Sequence, residues 1–298
     1  GRNYFTLQAQ YGTVAPVIND VYISPRIKDT AVDDAKSTRV FSADFRYTWN
    51  YRRFRGAVTA YFTDMQDALE RYGFWDESLN AFCNFALSGV HRQYQGIELG
   101  MAYQITSSLR ATFAGNIARY RYANNPMGTR SLENGLSADV TRQFFLKNYI
   151  CTSTPQTAFN IGLAWNAPKN WYLNFDASWL ADYYVRLAYP RHQIITGLAS
   201  YAGTEQKLAE LVDEYTAQEK LKNQWVLNAS IGKSIYLNRK VSLNFNVSVS
   251  NLLNNRNLIT QATEQFRIDT KTYNPQAFPT KYMYAQGIKV FVNAGVRF

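Results

Sequence analysis

From Val241 to Ser250 the chain alternates without exception: Val241, Leu243, Phe245, Val247 and Val249 share one face, and Ser242, Asn244, Asn246, Ser248 and Ser250 share the other. A period of two sends successive side chains to opposite faces of a β-strand, so this strand separates two media. The pattern recurs: Ala43, Phe45, Tyr47 and Trp49 oppose Ser42, Asp44, Arg46 and Thr48, while Phe159, Ile161, Leu163 and Trp165 oppose Asn160 and small residues. The end of the chain, 281–298, places Tyr282, Tyr284, Ile288, Val290, Val292, Ala294, Val296 and Phe298 on one face. Such segments exceed the usual soluble strand of about five or six residues. They reach the roughly nine to eleven that a membrane-crossing strand needs.

Mean hydropathy is −0.34, and no stretch approaches the roughly twenty apolar residues of a spanning helix. Helical crossing is thereby excluded, whereas a barrel's alternation dilutes its hydropathy to that of a soluble protein. The net charge of +10 is spread singly, as at Arg52, Arg53 and Arg55, without a basic run or a nucleic-acid module, so no nucleic-acid partner is expected. Two cysteines, Cys83 and Cys151, fall in long connections on one side. A disulfide between them requires that side to be oxidising; two free thiols are the expectation. The chain opens directly in strand-like sequence at Asn3, with neither a start Met nor a leader, and is read as the truncated part of something longer.

Strand-like segments fall at about 2–11, 37–50, 53–65, 89–105, 109–123, 156–166, 171–184, 222–236, 241–252 and 281–298, about ten in all. The connections at 51–52, 106–108, 167–170 and 237–240 are tight turns, and those at 12–36, 66–88, 124–155, 185–221 and 253–280 are long. Short and long alternate, so all tight turns lie at one end of an up-and-down meander and all long loops at the other. That asymmetry belongs to transmembrane barrels. Trp49, Tyr51, Trp165, Trp171 and Trp225 near strand ends suit an interfacial girdle. One loop carries a helical pattern, with Leu208, Leu211, Val212 and Tyr215 on one face and Thr204 as its cap.

Several stretches resemble the TonB-dependent outer-membrane transporters, especially those of Bacteroidetes. Asn251-Leu252-Leu253-Asn254 looks like the element that closes the penultimate strand in that family; Tyr94-Gln95-Gly96-Ile97-Glu98 resembles an internal strand opening, and Leu146-Lys147-Asn148-Tyr149 with Thr154-Pro155-Gln156 a loop before a strand. The terminal Phe298 resembles the signal that outer-membrane barrels present to their insertion machinery. The resemblance implies an all-β transmembrane antiparallel up-and-down barrel of about 22 strands with a plugged lumen. The whole of 1–298 then corresponds to a C-terminal portion of that barrel, without the plug domain. It further implies uptake of a nutrient ligand, energised by TonB through the missing N-terminal part. Long loops would be extracellular, the C-terminus periplasmic, and outer-membrane lipid, the plug, the remaining strands and, as in some relatives, a surface lipoprotein would be partners. The alternative is a complete small barrel acting as a surface enzyme or adhesin.

The chemistry favours binding over reaction. His91 and His192 fall toward the long-loop side, and no spacing fixes either beside Asp139, Asp182 or Glu77 as a water-activating pair, so structural or solvated histidines are expected. Asp29, Asp33 and Asp34 lack the glycine and closing glutamate of a calcium loop. No catalytic motif, metal site or cofactor is expected. Candidate ligand contacts are aromatics and a base of the long loops: Tyr72, Trp75, Tyr183, Tyr184, Tyr189 and Arg191. Aromatic faces suit sugar rings or peptides, and a guanidinium suits carboxylate or phosphate.

Overall fold

The computed structural model describes residues 2–298 apart from 25, 28, 77, 78, 134, 136, 137, 152, 195, 196 and 238–240, so Glu77 and part of the 237–240 turn lie outside the described residues. The strands are β1 (Arg2–Val14), β2 (Thr38–Asn50), β3 (Phe54–Asp76), β4 (Ala81–Gln104), β5 (Leu109–Tyr122), β6 (Met127–Leu132), β7 (Val140–Gln143), β8 (Thr157–Ala167), β9 (Trp171–Ala181), β10 (Gln224–Tyr236), β11 (Ser242–Ser250), β12 (Ile259–Thr263), β13 (Lys281–Tyr284) and β14 (Lys289–Arg297). Among the described residues the α-helices are α1 (Ile18–Val21), α2 (Leu198–Ala202) and α3 (Glu205–Thr216), all in long loops.

One antiparallel sheet runs β1-β2-β3-β4-β5-β8-β9-β10-β11-β14, with β6 and β7 added beside β4 and a separate β12-β13 pair. The ten strands of the meander lie in chain order, as expected. Among the described residues β1 has a ladder only with β2, and β14 only with β11. The sheet is therefore open at both edges.

Register carries the alternation across the sheet. Phe5, Tyr47, Val58 and Leu99 face one another in successive ladders, as do Ile231, Val247 and Val292 further along. This apolar face is exposed, with Phe245 at 46% and Phe5 at 71%. Its reverse is tied by polar side chains: Ser42 to Thr63 at 2.9 Å, Asn160 to Ser178 at 2.9 Å and Asn228 to Asp176 at 2.9 Å. A soluble sheet would bury the first face and wet the second. Trp171 and Trp179, eight residues apart in β9, stand about 26 Å apart along the strand, close to the span of an apolar membrane band.

Local chemistry sets the tight turns. Tyr51 N–H donates to the Phe54 carbonyl at 2.9 Å, Thr106 Oγ1 accepts from Leu109 N–H at 3.0 Å, and Pro168 opens a turn in which Lys169 and Asn170 take φ of 59° and 62°.

Three expectations are corrected. The segment 66–88 is no loop: β3 and β4 continue through it as a hairpin that extends the pair by about 30 Å. Register slips between Met65 and Glu70, with Asp67 at φ 59°, break the alternation there and hid the strand. Second, 124–155 and 253–280 contain β6, β7 and β12. Third, the last segment is broken into β13 and β14. Asn254 Oδ1 accepts from Ile288 N–H at 3.0 Å, and a Cβ on Gly287 would meet that oxygen at 2.3 Å, so a side chain there would have to displace the Asn254 amide from the bond that sets the bend. Asn251 and Asn254, at φ 55° and 48°, form the left-handed turn that ends β11 at Ser250, and Asn251 Nδ2 holds the carbonyls of Asn255 and Gln286. The helix forms as expected: Thr204 Oγ1 accepts from Lys207 N–H, and Leu208, Leu211, Val212 and Tyr215 pack with Leu198, Ile268 and Tyr273.

Candidate ligand site on the long-loop side

The long-loop side is a packed cap with its own core. Phe85, Leu87, Val90, Phe144 and Leu146 are fully buried there, together with Cys83. Both cysteines are free and both pack in or against this cluster. Burial pushes each thiol up to about 11.

The structure brings two candidates into direct contact. Tyr72, from the β3 extension, and Tyr189, from the loop after β9, stack with centroids 3.9 Å apart and bring their hydroxyl oxygens to 2.9 Å. Both hydroxyls, with that of Tyr122, donate to Glu70 Oε2, at 3.1, 2.7 and 3.1 Å. Arg92 faces Glu70 Oε1 at 3.2 Å, and the Glu70 side chain is only 8% exposed. Burial first, and then the Glu70 charge, push the Tyr72 and Tyr189 phenols far above their ordinary value, so they remain protonated donors. This charge-centred knot anchors the β3–β4 extension to the β9–β10 loop. One face of each tyrosine ring is covered by the other. Glu70, Arg92 and Tyr122 carry no local signal: Glu70 falls in 66–88, which reads as loop, while Arg92 and Tyr122 lie on strands and are brought to it only by their pairing.

Trp75 borders a second feature, which Arg191 braces from behind. Arg191 donates from Nη1 to the Phe278 carbonyl at 3.0 Å and from Nη2 to the Pro275 carbonyl at 2.9 Å, so it braces a wall through two backbone carbonyls. That wall closes a cavity of about 260 Å³, with Trp75, 53% exposed, at its rim. Phe74, Phe85, Phe266, Arg130, Arg142 and Arg267 also line it. The remaining candidates lie elsewhere. Tyr183 is buried with Val185, Leu221 and Ala262, its hydroxyl donating to the Thr260 carbonyl at 3.1 Å. Tyr184 borders an open pocket with Arg119, Lys147 and Asp182, and Lys220 sits 6.0 Å over its ring while bonding Asp182 at 2.6 Å.

The histidines have structural partners other than those considered from sequence. His91 Nε2 meets Asp64 at 2.6 Å. His192, fully buried, meets Glu264 Oε2 at 2.9 Å, and the same oxygen accepts from Ala188 N–H at 2.8 Å. Each pair ties strands or loops together, and no nucleophile accompanies either in these contacts.

No protein-family model and no curated protein matches the sequence. Solved structures match almost its whole length. The FrpB iron transporter from Neisseria meningitidis (F5-1 variant) gives a TM-score of 0.57 at 16% identity, covering 99% of this chain and 37% of that one. The copper transporter OprC gives 0.56 at 15% identity with coverage of 99% and 37%. The pyoverdine outer membrane receptor FpvA from Pseudomonas aeruginosa gives 0.53 at 10% identity with coverage of 99% and 34%. The chain thus spans little more than a third of the length of the structures it matches. At these identities the likeness is one of architecture alone, and with the open ten-strand meander it decides the fold: part of an antiparallel up-and-down β-barrel like those of these solved transporters.

Proposed function

We propose that this chain is the C-terminal portion of the barrel of a TonB-dependent transporter of the Bacteroidetes type, which takes up a nutrient ligand across the Gram-negative outer membrane. The observation that carries the reading is the open sheet. Ten membrane-length strands expose an apolar face, and β1 and β14 each present an edge with no partner among the described residues. Lipid cannot satisfy such edges; further strands of a larger barrel can. The polar face, with its small and amide side chains, then lines a wide lumen that a separate plug fills. The long-loop cap is extracellular, Phe298 sits at the periplasmic rim as the assembly signal, and TonB acts through an N-terminal part outside 1–298. A surface lipoprotein would rest on the cap. The work of this portion is binding and passage rather than catalysis.

The test uses the full-length parent protein. Paired cysteines, one on β1 and one on β14, should fail to cross-link to each other in the membrane-inserted parent, and the parent should co-purify with the periplasmic domain of TonB. A β1–β14 cross-link without TonB binding would instead make the chain a whole small barrel, and a surface enzyme or adhesin would take first place.

A further inference from the structure

We propose that the cavity behind Trp75 is a binding site for an anionic aromatic ligand, an aryl carboxylate or the aryl-carboxylate end of a larger molecule. From the transport reading the proposal takes only that the long-loop side faces the medium holding the ligand.

The charge arrangement comes first. In the β6–β7 ladder Arg130 pairs with Val140 and Gly128 with Arg142, so the two arginines are diagonal neighbours on one face of the hairpin. Both line the cavity. Like charges at such a spacing repel. Burial and the neighbouring Arg130 charge both lower the basicity of Arg142, while its Nη1 is held by the Ile194 carbonyl at 2.9 Å. A third guanidinium, Arg267, enters from the loop after β12 and lies over the Phe278 ring at 5.5 Å. One carboxylate, Asp76, also lines the space and accepts from Leu79 N–H at 3.3 Å. Among the described residues three arginines and one aspartate line the cavity, an excess of positive charge. Planar guanidinium forks suit carboxylate in particular.

One wall is aromatic and preformed. Phe85, Phe74 and Phe266 stack in a column, with centroids 5.6 and 5.5 Å apart and interplanar angles of 4° and 21°. Phe266 is 40% exposed at the open end of the column and Trp75 stands at the rim. A flat ring sliding in beside them continues the stack. The volume, about 260 Å³, falls just below the range of drug-sized pockets and fits one ring system with an acid group. The walls are fixed from outside: Arg191 holds Pro275 and Phe278, and Asp269 takes backbone donors from Lys271, Thr272 and Asn274 to set the turn that follows Phe266 and Arg267. A rigid, cationic, aromatic recess selects acid and ring together.

The experiment titrates the detergent-solubilised full-length protein with 2-naphthoate and with neutral 2-naphthamide, reading tryptophan fluorescence and heat. Naphthoate should bind, naphthamide at least tenfold more weakly, and added salt should weaken naphthoate alone. Arg130→Gln and Arg142→Gln should each weaken naphthoate about ten- to hundredfold, the usual effect of losing a charged hydrogen bond. Trp75→Ala, at an exposed rim position where the fold is not at risk, should remove most of the fluorescence change and weaken both probes. No naphthoate binding by the wild type, equal binding of the two probes, or arginine variants that bind like the wild type while retaining the protease resistance of the cap would each overturn the site. Failure here with intact TonB binding leaves the transport reading standing, and naphthoate binding without TonB binding leaves the site standing.

Discussion

Phe245 and Phe85 are the same side chain in the same secondary structure with opposite fates: one is 46% exposed on β11, the other 1% exposed in the β4 extension. The difference is the solvent each strand was built for. Along the meander apolar groups point away from the protein because hydrocarbon receives them, and polar groups meet one another on the reverse face. In the cap water surrounds the structure, so apolar groups turn inward and form a core with Leu87, Val90 and Phe144. One sheet thus follows two burial rules, and the change occurs where β3 slips register between Met65 and Glu70.

The largest expected effect breaks the cap at its charge centre. Glu70→Ala leaves the Arg92 guanidinium buried without its carboxylate and should cost the cap about 3–5 kcal/mol, read as lower resistance of the outer loops to denaturant and protease. Replacing both members, Glu70→Leu with Arg92→Met, should recover the part due to the unpaired guanidinium and leave the cost of the three phenols that lose their acceptor. Phe85→Ala removes a ring from a dry core and should cost about 3–5 kcal/mol, whereas Phe245→Ala should cost far less, because lipid fills the space. Phe245→Arg reverses the sign of that tolerance: at mid-bilayer it should cost about 2–4 kcal/mol in refolding into vesicles. Thr204→Ala removes the cap of α3 and should cost about 1 kcal/mol, confined to the β9–β10 loop. The smallest signal is an absent one. With both thiols pushed up to about 11 by burial, Cys83 and Cys151 should resist thiol reagents at neutral pH until the cap is unfolded.

The two regions also differ in how far they could be read from sequence. In the meander each strand announces its faces locally, because a period of two needs only neighbours. That is why the ten strands and the sided connections match the structure, with ends off by a few residues, apart from the β3–β4 extension and the broken last strand. In the cap burial is decided by contacts between distant segments. Glu70 finds Tyr189 across 119 residues and Arg142 shares a cavity with Arg267, and no local pattern signals either. Of the candidate contacts, Trp75 reaches a cavity rim and Tyr184 an open pocket, Tyr72, Tyr183 and Tyr189 are taken up by packing, and Arg191 serves as a brace. The arginines of the cavity looked like scattered positive charge, since only the β6–β7 pairing brings two of them to one face.

The central claim is that the meander is turned toward lipid on its apolar face and toward a lumen on its polar face. The direct measurement is a scan of single fluorescent labels along 242–249 in the full-length protein in vesicles, quenched once by a lipid-borne and once by an aqueous quencher. The account predicts a period of two, with Leu243, Phe245, Val247 and Val249 quenched from lipid and Ser242, Asn244, Asn246 and Ser248 from water. Equal quenching at all positions, or the two sets exchanged, would contradict it.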